Sequence, residues 1–410
     1  MEFRENTLPN GLRVVAEINP GAYSTALAFL VDTGSRDEKA NNWGVSHFLE
    51  HMVFKGTPRR SAADVNRELD ELGSHSNAFT SEEHTVYYAT VLPELCDRAL
   101  ELLSDIMRPS LRQEDFDVEK QVILEEIAKY EDQPPYGAHE KCMAIHFGDH
   151  PLGRSVLGTT QSVGGLNRDQ MQAYFDERYS PENIILAVAG NVDFDRFVDQ
   201  ADQRCGSWDR VPVSRDTSLA VGQGGLSVIQ KPSSTQQYIV QTSDSPAVEN
   251  DDRYVARLVA TIVGDDSGSR FFWDLVDTGL AEYASVGAYE FHGGGILMTF
   301  LCCAPEDADQ SLERIAAIEQ GVERDGVTED ELRRAQIKVC SQIILQSERP
   351  SNRLFSVGGN WLQRREYQTV RETVNIYQAI TCDDVKQYLK RFPLSHKTTV
   401  AVGPLSELNA

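Results

Sequence analysis

Long apolar runs are missing from this chain. No stretch approaches the roughly 18 residues that cross a bilayer, so neither a transmembrane helix nor a membrane partner is expected. The opening, Met1-Glu2-Phe3-Arg4-Glu5-Asn6, has no apolar core region and no Arg/Ser-rich presequence, which leaves export or organelle import unsupported. Positive charge is scarce too: 39 Lys and Arg face 63 Asp and Glu, a net charge of −24. That balance lacks the basic footprint phosphates require, so nucleic acid is not expected as a partner. The same charge attracts basic or unfolded cationic peptides, and it equally serves a plain solvated surface. Cysteines are few, an odd seven without framework spacing, with Cys302-Cys303 inside an apolar run. Reduced, buried thiols in a cytoplasmic protein are the expectation.

What the chain does have is Val45-Ser46-His47-Phe48-Leu49-Glu50-His51-Met52. On a helix, His47 and His51 lie one turn apart on one face, with Glu50 beside them. Imidazole is a good ligand for Zn2+, and a catalytic zinc takes three protein ligands and keeps one open position. Two histidines at this spacing therefore call for a third ligand elsewhere and leave Glu50 free to serve as a base. The order His-x-x-Glu-His inverts the commoner zinc-peptidase motif. The bland alternative is a pair of half-buried, hydrogen-bonded helix histidines. A missing ligand is offered by the acidic helix over 114–132. Glu119 and Glu126 are seven residues apart and share a face, whereas Glu125 points about 100° away. Either of the pair can reach the metal while the other stands behind.

Three segments together carry a family resemblance. They are His47-Phe48-Leu49-Glu50-His51-Met52-Val53-Phe54-Lys55-Gly56-Thr57, then Asn77-Ala78-Phe79-Thr80-Ser81 with Thr85-Val86-Tyr87-Tyr88, and the Glu119–Glu126 helix. With them the chain resembles the pitrilysin/insulinase family of inverted-motif zinc peptidases, in the branch of roughly 400-residue subunits that includes the mitochondrial processing peptidase. The resemblance implies Glu126 as third ligand to Zn2+, Glu119 as the carboxylate behind the ligands, and Glu50 as catalytic base. It also implies an edge strand at Asn77, Ala78, Phe79 and Thr80, onto which substrate adds as a further strand.

At 410 residues the chain exceeds a single core. An α+β fold is expected, with two homologous α/β sandwich units, each an antiparallel-rich sheet covered by helices, related by internal duplication. The metal-bearing unit is placed at 1–210, a Pro/Gly-rich linker at 211–225, and a second unit without the motif at 226–410. Strands are expected at 25–31, 76–80, 85–92, 183–189, 226–230, 237–241, 284–289, 296–301 and 398–402. Helices are expected at 62–72, 94–107, 113–132, 136–147, 193–204, 252–263, 306–323, 328–346 and 349–361. His139, His146 and His150 read as surface or loop histidines rather than a second metal cluster.

The chain departs from the resemblance at Ser269-Arg270-Phe271-Phe272-Trp273-Asp274-Leu275-Val276-Asp277-Thr278-Gly279-Leu280-Ala281-Glu282-Tyr283. Relatives place an arginine seven residues before a tyrosine here, to hold the substrate carbonyl. In this chain Val276 stands where the arginine is expected, and Glu282 leaves the role of Tyr283 open. The implied function is a zinc-dependent endopeptidase taking a peptide substrate into an enclosed dimeric chamber, as a dimer or as a heterodimer whose homologous subunit supplies the Arg/Tyr pair. Two other classes stand beside it: a core-protein-like assembly subunit without proteolysis, and a zinc-containing peptide-binding protein with weak activity.

Overall fold

Alternating and fully apolar strands build two sheets, and helices pack on the faces of each. The computed structural model describes residues 1–408; the last two residues of the expected second unit lie outside the described residues. In chain order the first half runs β1 (Glu2–Thr7), β2 (Arg13–Ile18), β3 (Thr25–Val31), α1 (Val45–Val53), α2 (Ala62–Glu71), β4 (His75–Thr80) and β5 (Thr85–Val91). It continues α3 (Cys96–Ile106), α4 (Gln113–Asp132), α5 (Ala138–Phe147), α6 (Thr160–Gly165), α7 (Arg168–Arg178), β6 (Ile184–Gly190) and α8 (Phe194–Cys205). The second half runs β7 (Gly225–Gln230), β8 (Gln237–Ser245), α9 (Asp252–Gly264), β9 (Tyr283–Phe291), β10 (Gly294–Cys303), α10 (Ala308–Asp325) and α11 (Glu329–Ser347). It closes with α12 (Pro350–Arg364), α13 (Val370–Ala379), α14 (Cys382–Arg391) and β11 (Lys397–Gly403).

The first sheet has the order β1-β2-β6-β3-β5-β4 and the second β7-β11-β8-β10-β9. Setting β1 aside, the two orders are the same permutation of chain order. Each sheet has one parallel pair, β2 with β6 and β7 with β11, and is otherwise antiparallel. The α+β class and the duplication are thus written into the pairing itself.

The two compact units are not the contiguous halves 1–210 and 226–410. The first comprises Met1–Ala128, Arg154–Asp216 and Gln346–Gln368; the second takes Lys129–Gly153, Thr217–Leu345 and the chain from Thr369 onward. Each sheet buries one face under helices of its own half, around Leu27, Phe29, Phe48 and Phe116 in the first unit and Leu258, Phe271 and Ile315 in the second. Its other face is covered by one helix from the opposite half of the sequence. Leu354, Val357 and Leu362 of α12 pack on Ala28, Leu30 and Ala187 in the first unit. Cys142, Met143 and Phe147 of α5 pack with Val240, Val400 and Val402 in the second. Gly358 permits the close approach of α12, since a Cβ there would meet Leu30 at 3.0 Å and Ala187 at 3.2 Å.

Of the expected linker at 211–225, residues 211–224 have no regular structure and Gly225 already opens β7, yet the segment is fastened rather than free. Arg178 and Arg36 donate to the carbonyls of Ser214 and Asp216, and Arg215 reaches Asp37 and Asp32 at 2.7 Å each. Farther on, the Gly222 amide donates to Asp244 at 2.8 Å and the Gln223 amide to the His146 carbonyl. Composition identified a linker; paired arginines and the buried His146 segment tie it down.

Candidate metal centre

The helix α1 is short and apolar on its inner side, with Val45, Phe48, Leu49 and Met52 in the first core. Its entry depends on Gly44, whose φ of +89° favours glycine. No side chain at that position caps the helix. Glu38 does so instead, accepting from the amides of Gly44 at 2.7 Å and Ser46 at 2.8 Å. Burial pushes the Glu38 carboxyl up to about 8, against those donors and Arg154. Held in this way, α1 carries His47, Glu50 and His51 at the rim of the core, His47 and Glu50 at 8% and 9% exposure.

From α4, Glu126 comes to meet the two rings. Its Oε2 lies 3.8 Å from Nε2 of His47 and 3.8 Å from Nε2 of His51, and the ligand atoms of the three residues fall within 4.8 Å of one another. Ligands about 2.1 Å from a tetrahedral ion lie about 3.4 Å apart, so the set needs only small adjustment to close on Zn2+. No other group of this kind occurs among the described residues. The donor chemistry fits as well. Burial, aided by the charge of His51, pulls His47 down to about 4, leaving it the neutral imidazole a metal requires. His47 Nδ1 is buried with no hydrogen-bond partner.

His51 is held differently. Its Nδ1 lies 2.9 Å from Glu119, whose other oxygen is 2.5 Å from the Lys55 ammonium. Burial lowers the His51 value, but the Glu119 bond and the charges of Glu119, Glu126 and Glu50 outweigh it and lift the ring above its usual range. Burial works the other way on Glu119 and is likewise outweighed, by His51 and Lys55, so that this carboxyl stays below its usual range. A metal at Nε2 would compete with a proton for that atom and lie in the field of the same acids.

Glu50 accepts a hydrogen bond from the Thr80 hydroxyl at 2.6 Å. Burial raises its carboxyl, with Thr80 and His51 opposing and Glu126 adding to the rise. Thr80 ends β4, the edge strand of the first sheet. Along β4, Asn77 and Phe79 are exposed while Ala78 packs on the core. Phe79 lies near Phe355 of α12, ring centroids 6.0 Å apart. Tyr283 opens β9, the edge strand of the second sheet, and is 47% exposed. Arg270, the nearest basic residue to Val276 in sequence, is bound by both oxygens of Glu331 at 2.8 and 3.1 Å.

The three donors, Glu50 and Glu119 are thus brought together, with Thr80 placed on Glu50 as well as on the edge strand. Lys55 and Glu38 were not singled out from sequence. For Lys55 the signal was its place four residues after His51; for Glu38 no local pattern existed, because it caps from six residues away. Of the three histidines expected at the surface or in loops, His146 is instead buried in α5, bonding Thr398 at 3.0 Å and Asp244 at 3.2 Å, while His150 approaches the Ser218 carbonyl. His139 is lowered by burial.

Fold and centre define a class: duplicated α+β chains that carry one two-histidine, one-carboxylate ligand set, in the first unit. The family model for insulinase (peptidase family M16) matches residues 13–160, and that for the peptidase M16 inactive domain matches 165–339. The chain belongs to the M16, or insulinase, family. An uncharacterized zinc protease of Mycobacterium tuberculosis (strain ATCC 25618 / H37Rv) is 34% identical, over 98% of this chain and 93% of the relative. One of Bacillus subtilis (strain 168) is 31% identical, over 93% and 94%. Among solved structures, a protease from Helicobacter pylori superposes with a TM-score of 0.91 at 21% identity, covering 98% of this chain and 99% of that one. A chain of complex III from Candida albicans gives 0.85 at 18% identity, covering 98% and 96%. At these identities the structural likenesses speak to the fold alone.

Proposed function

We propose that this chain is a zinc-dependent endopeptidase, with Zn2+ held by His47, His51 and Glu126. The observation that carries the reading is the meeting of three donor atoms from two separate helices within 4.8 Å, with a buried carboxylate alongside. Relatives of similar length that are named zinc proteases support it. Bound in this set, Zn2+ supplies a water of lowered pKa and polarises the scissile carbonyl. Glu50 takes the proton of the attacking water as its oxygen bonds to the carbonyl carbon, and returns it to the amine as the C–N bond breaks. Thr80 holds Glu50 in place, and Glu119 fixes the His51 ring. The free edge of β4, at Asn77, Ala78 and Phe79, takes substrate by main-chain pairing, which tolerates varied sequences.

The substrates are peptides or unfolded segments admitted to a chamber formed with a second subunit. Because Val276 replaces the arginine that relatives carry and Glu331 already engages Arg270, a homologous partner supplies the missing Arg/Tyr pair. Tyr283 is exposed and remains part of this proposal as a substrate contact. Seven free cysteines suit a reducing, cytoplasmic setting. The decisive variant is Glu50→Gln: metal content is retained and cleavage of a fluorogenic peptide is lost. Cleavage that persists removes Glu50 from this role. Full turnover by the isolated homodimer removes the need for a heterologous partner.

A further inference from the structure

Lys55 continues the row that His47 and His51 begin, one helical turn further on. The helix α1 has ended at Val53, so Lys55 rides on the turn that closes it, its amide donating to the Met52 carbonyl at 3.1 Å. Gly56 then takes the chain away at a φ of +112°, where a Cβ would meet the Arg60 carbonyl at 2.6 Å. The opposite helix grips the same turn. Arg112, immediately before α4, donates to the carbonyls of Lys55 at 3.2 Å and Thr57 at 3.0 Å. The backbone bearing Lys55 is therefore pinned to the start of α4, seven residues before Glu119 and fourteen before Glu126.

The ammonium and the imidazole divide one carboxylate between them, Oε2 of Glu119 to Lys55 and Oε1 to His51. The Glu119 side chain is 4% exposed and that of Lys55 36%. A buried carboxylate with a single partner rotates about its last bond and can leave the ring. One held at both oxygens rotates only by breaking a charge-assisted hydrogen bond.

We propose that Lys55 is a positioning residue of the metal centre: its ion pair with Glu119 fixes the carboxylate that orients His51 and holds α4 against α1 in the register that delivers Glu126. The proposal rests on the reading of His47, His51 and Glu126 as metal ligands. Lys55 acts through Glu119, so its effect disappears when Glu119 no longer carries a charge.

The test is a double-substitution cycle on the full chain, read as Zn2+ and Co2+ affinity by competition with a chromophoric chelator and as the visible spectrum of the Co2+ form. Loss of a residue behind a ligand commonly weakens metal binding roughly 10–100-fold. Glu119→Gln falls in that range and Lys55→Met at or somewhat below its lower end, with an altered Co2+ spectrum. Lys55→Arg recovers most of the loss. In the Glu119→Gln background, Lys55→Met adds nothing further. Should Lys55→Met fail to fold, Lys55→Gln enters the same cycle. Unchanged affinity in the single variant overturns the proposal, as does an equal loss in both backgrounds, which marks general support of the fold. A wild-type chain that binds neither ion overturns instead the ligand reading beneath it.

Discussion

On the proposed reading Glu126 is the ligand that α4 contributes, and Glu126→Ala removes the one carboxylate that groups with both histidines. Metal affinity is expected to drop beyond the roughly 10–100-fold seen when a residue behind a ligand is lost, as measured by chelator competition. Thr80→Val is the complementary change. It removes the 2.6 Å bond to Glu50 without touching a proposed ligand, so metal content stays at the wild-type level while kcat falls roughly 10–100-fold, the range of a hydrogen bond to a charged group. An unchanged kcat would leave Thr80 as a plain edge-strand residue. At this scale much was legible. Spacing alone placed His47, Glu50 and His51 on one face, and the interval of seven put Glu119 and Glu126 on another. Which of the two glutamates faces the Nε2 atoms was left open by periodicity; in the structure Glu126 lies 3.8 Å from both, while Glu119 sits on Nδ1 of His51.

The elements hold these residues through a few buried polar contacts whose loss has predictable consequences. In the first unit, Arg353 of α12 pairs with Glu17 of β2 at 2.7 Å, and the Tyr367 hydroxyl donates to the same carboxylate at 2.7 Å. Both partners are buried, so Glu17→Ala strands a guanidinium and costs about 3–5 kcal/mol in urea unfolding. In the second unit, Asp244 receives the His146 ring and the Gly222 amide. Burial pushes its carboxyl up, but these two contacts and the charge of His396 hold it below the ordinary value. A depressed folded-state pKa contributes stability above the unfolded value, near 4, that is lost as pH falls further. Protection of the Gly222 amide, its exchange taken relative to the intrinsic rate at each pH, is therefore high at neutral pH and falls below about pH 4. In Asp244→Asn protection is lower at neutral pH and the acid step is gone. Exchange that ignores the substitution would contradict the fastening. Helix periodicity found the large elements, including α4 over its full span. It passed over α6, α7, α13 and α14; α6 buries only Val163 and α13 only Tyr377, while α7 and α14 bury three side chains each. Their signal lay in capping pairs instead, Thr159 with Ser162, Asn167 with Gln170, Thr369 with Glu372 and Thr381 with Asp384.

For the whole molecule, duplication was legible as a repeated order of elements, whereas the exchange of α5 and α12 between units was not. Both read as ordinary helices, and nothing local says which sheet they will cover. The exchange has a consequence for dissection. A fragment ending at residue 216 lacks α12 and bares Ala28, Leu30 and Ala187, so it is expected to bind a hydrophobic dye and aggregate. A soluble fragment that unfolds cooperatively would show that the first unit needs no helix from the second half. All of this architecture serves one claim, that α1 and α4 together hold a single metal ion. Elemental analysis of the purified chain beside Glu126→Ala is the test: one equivalent of zinc per wild-type chain and close to none in the variant are expected. A wild-type chain free of metal after exposure to zinc, or a variant that keeps its full equivalent, would contradict it.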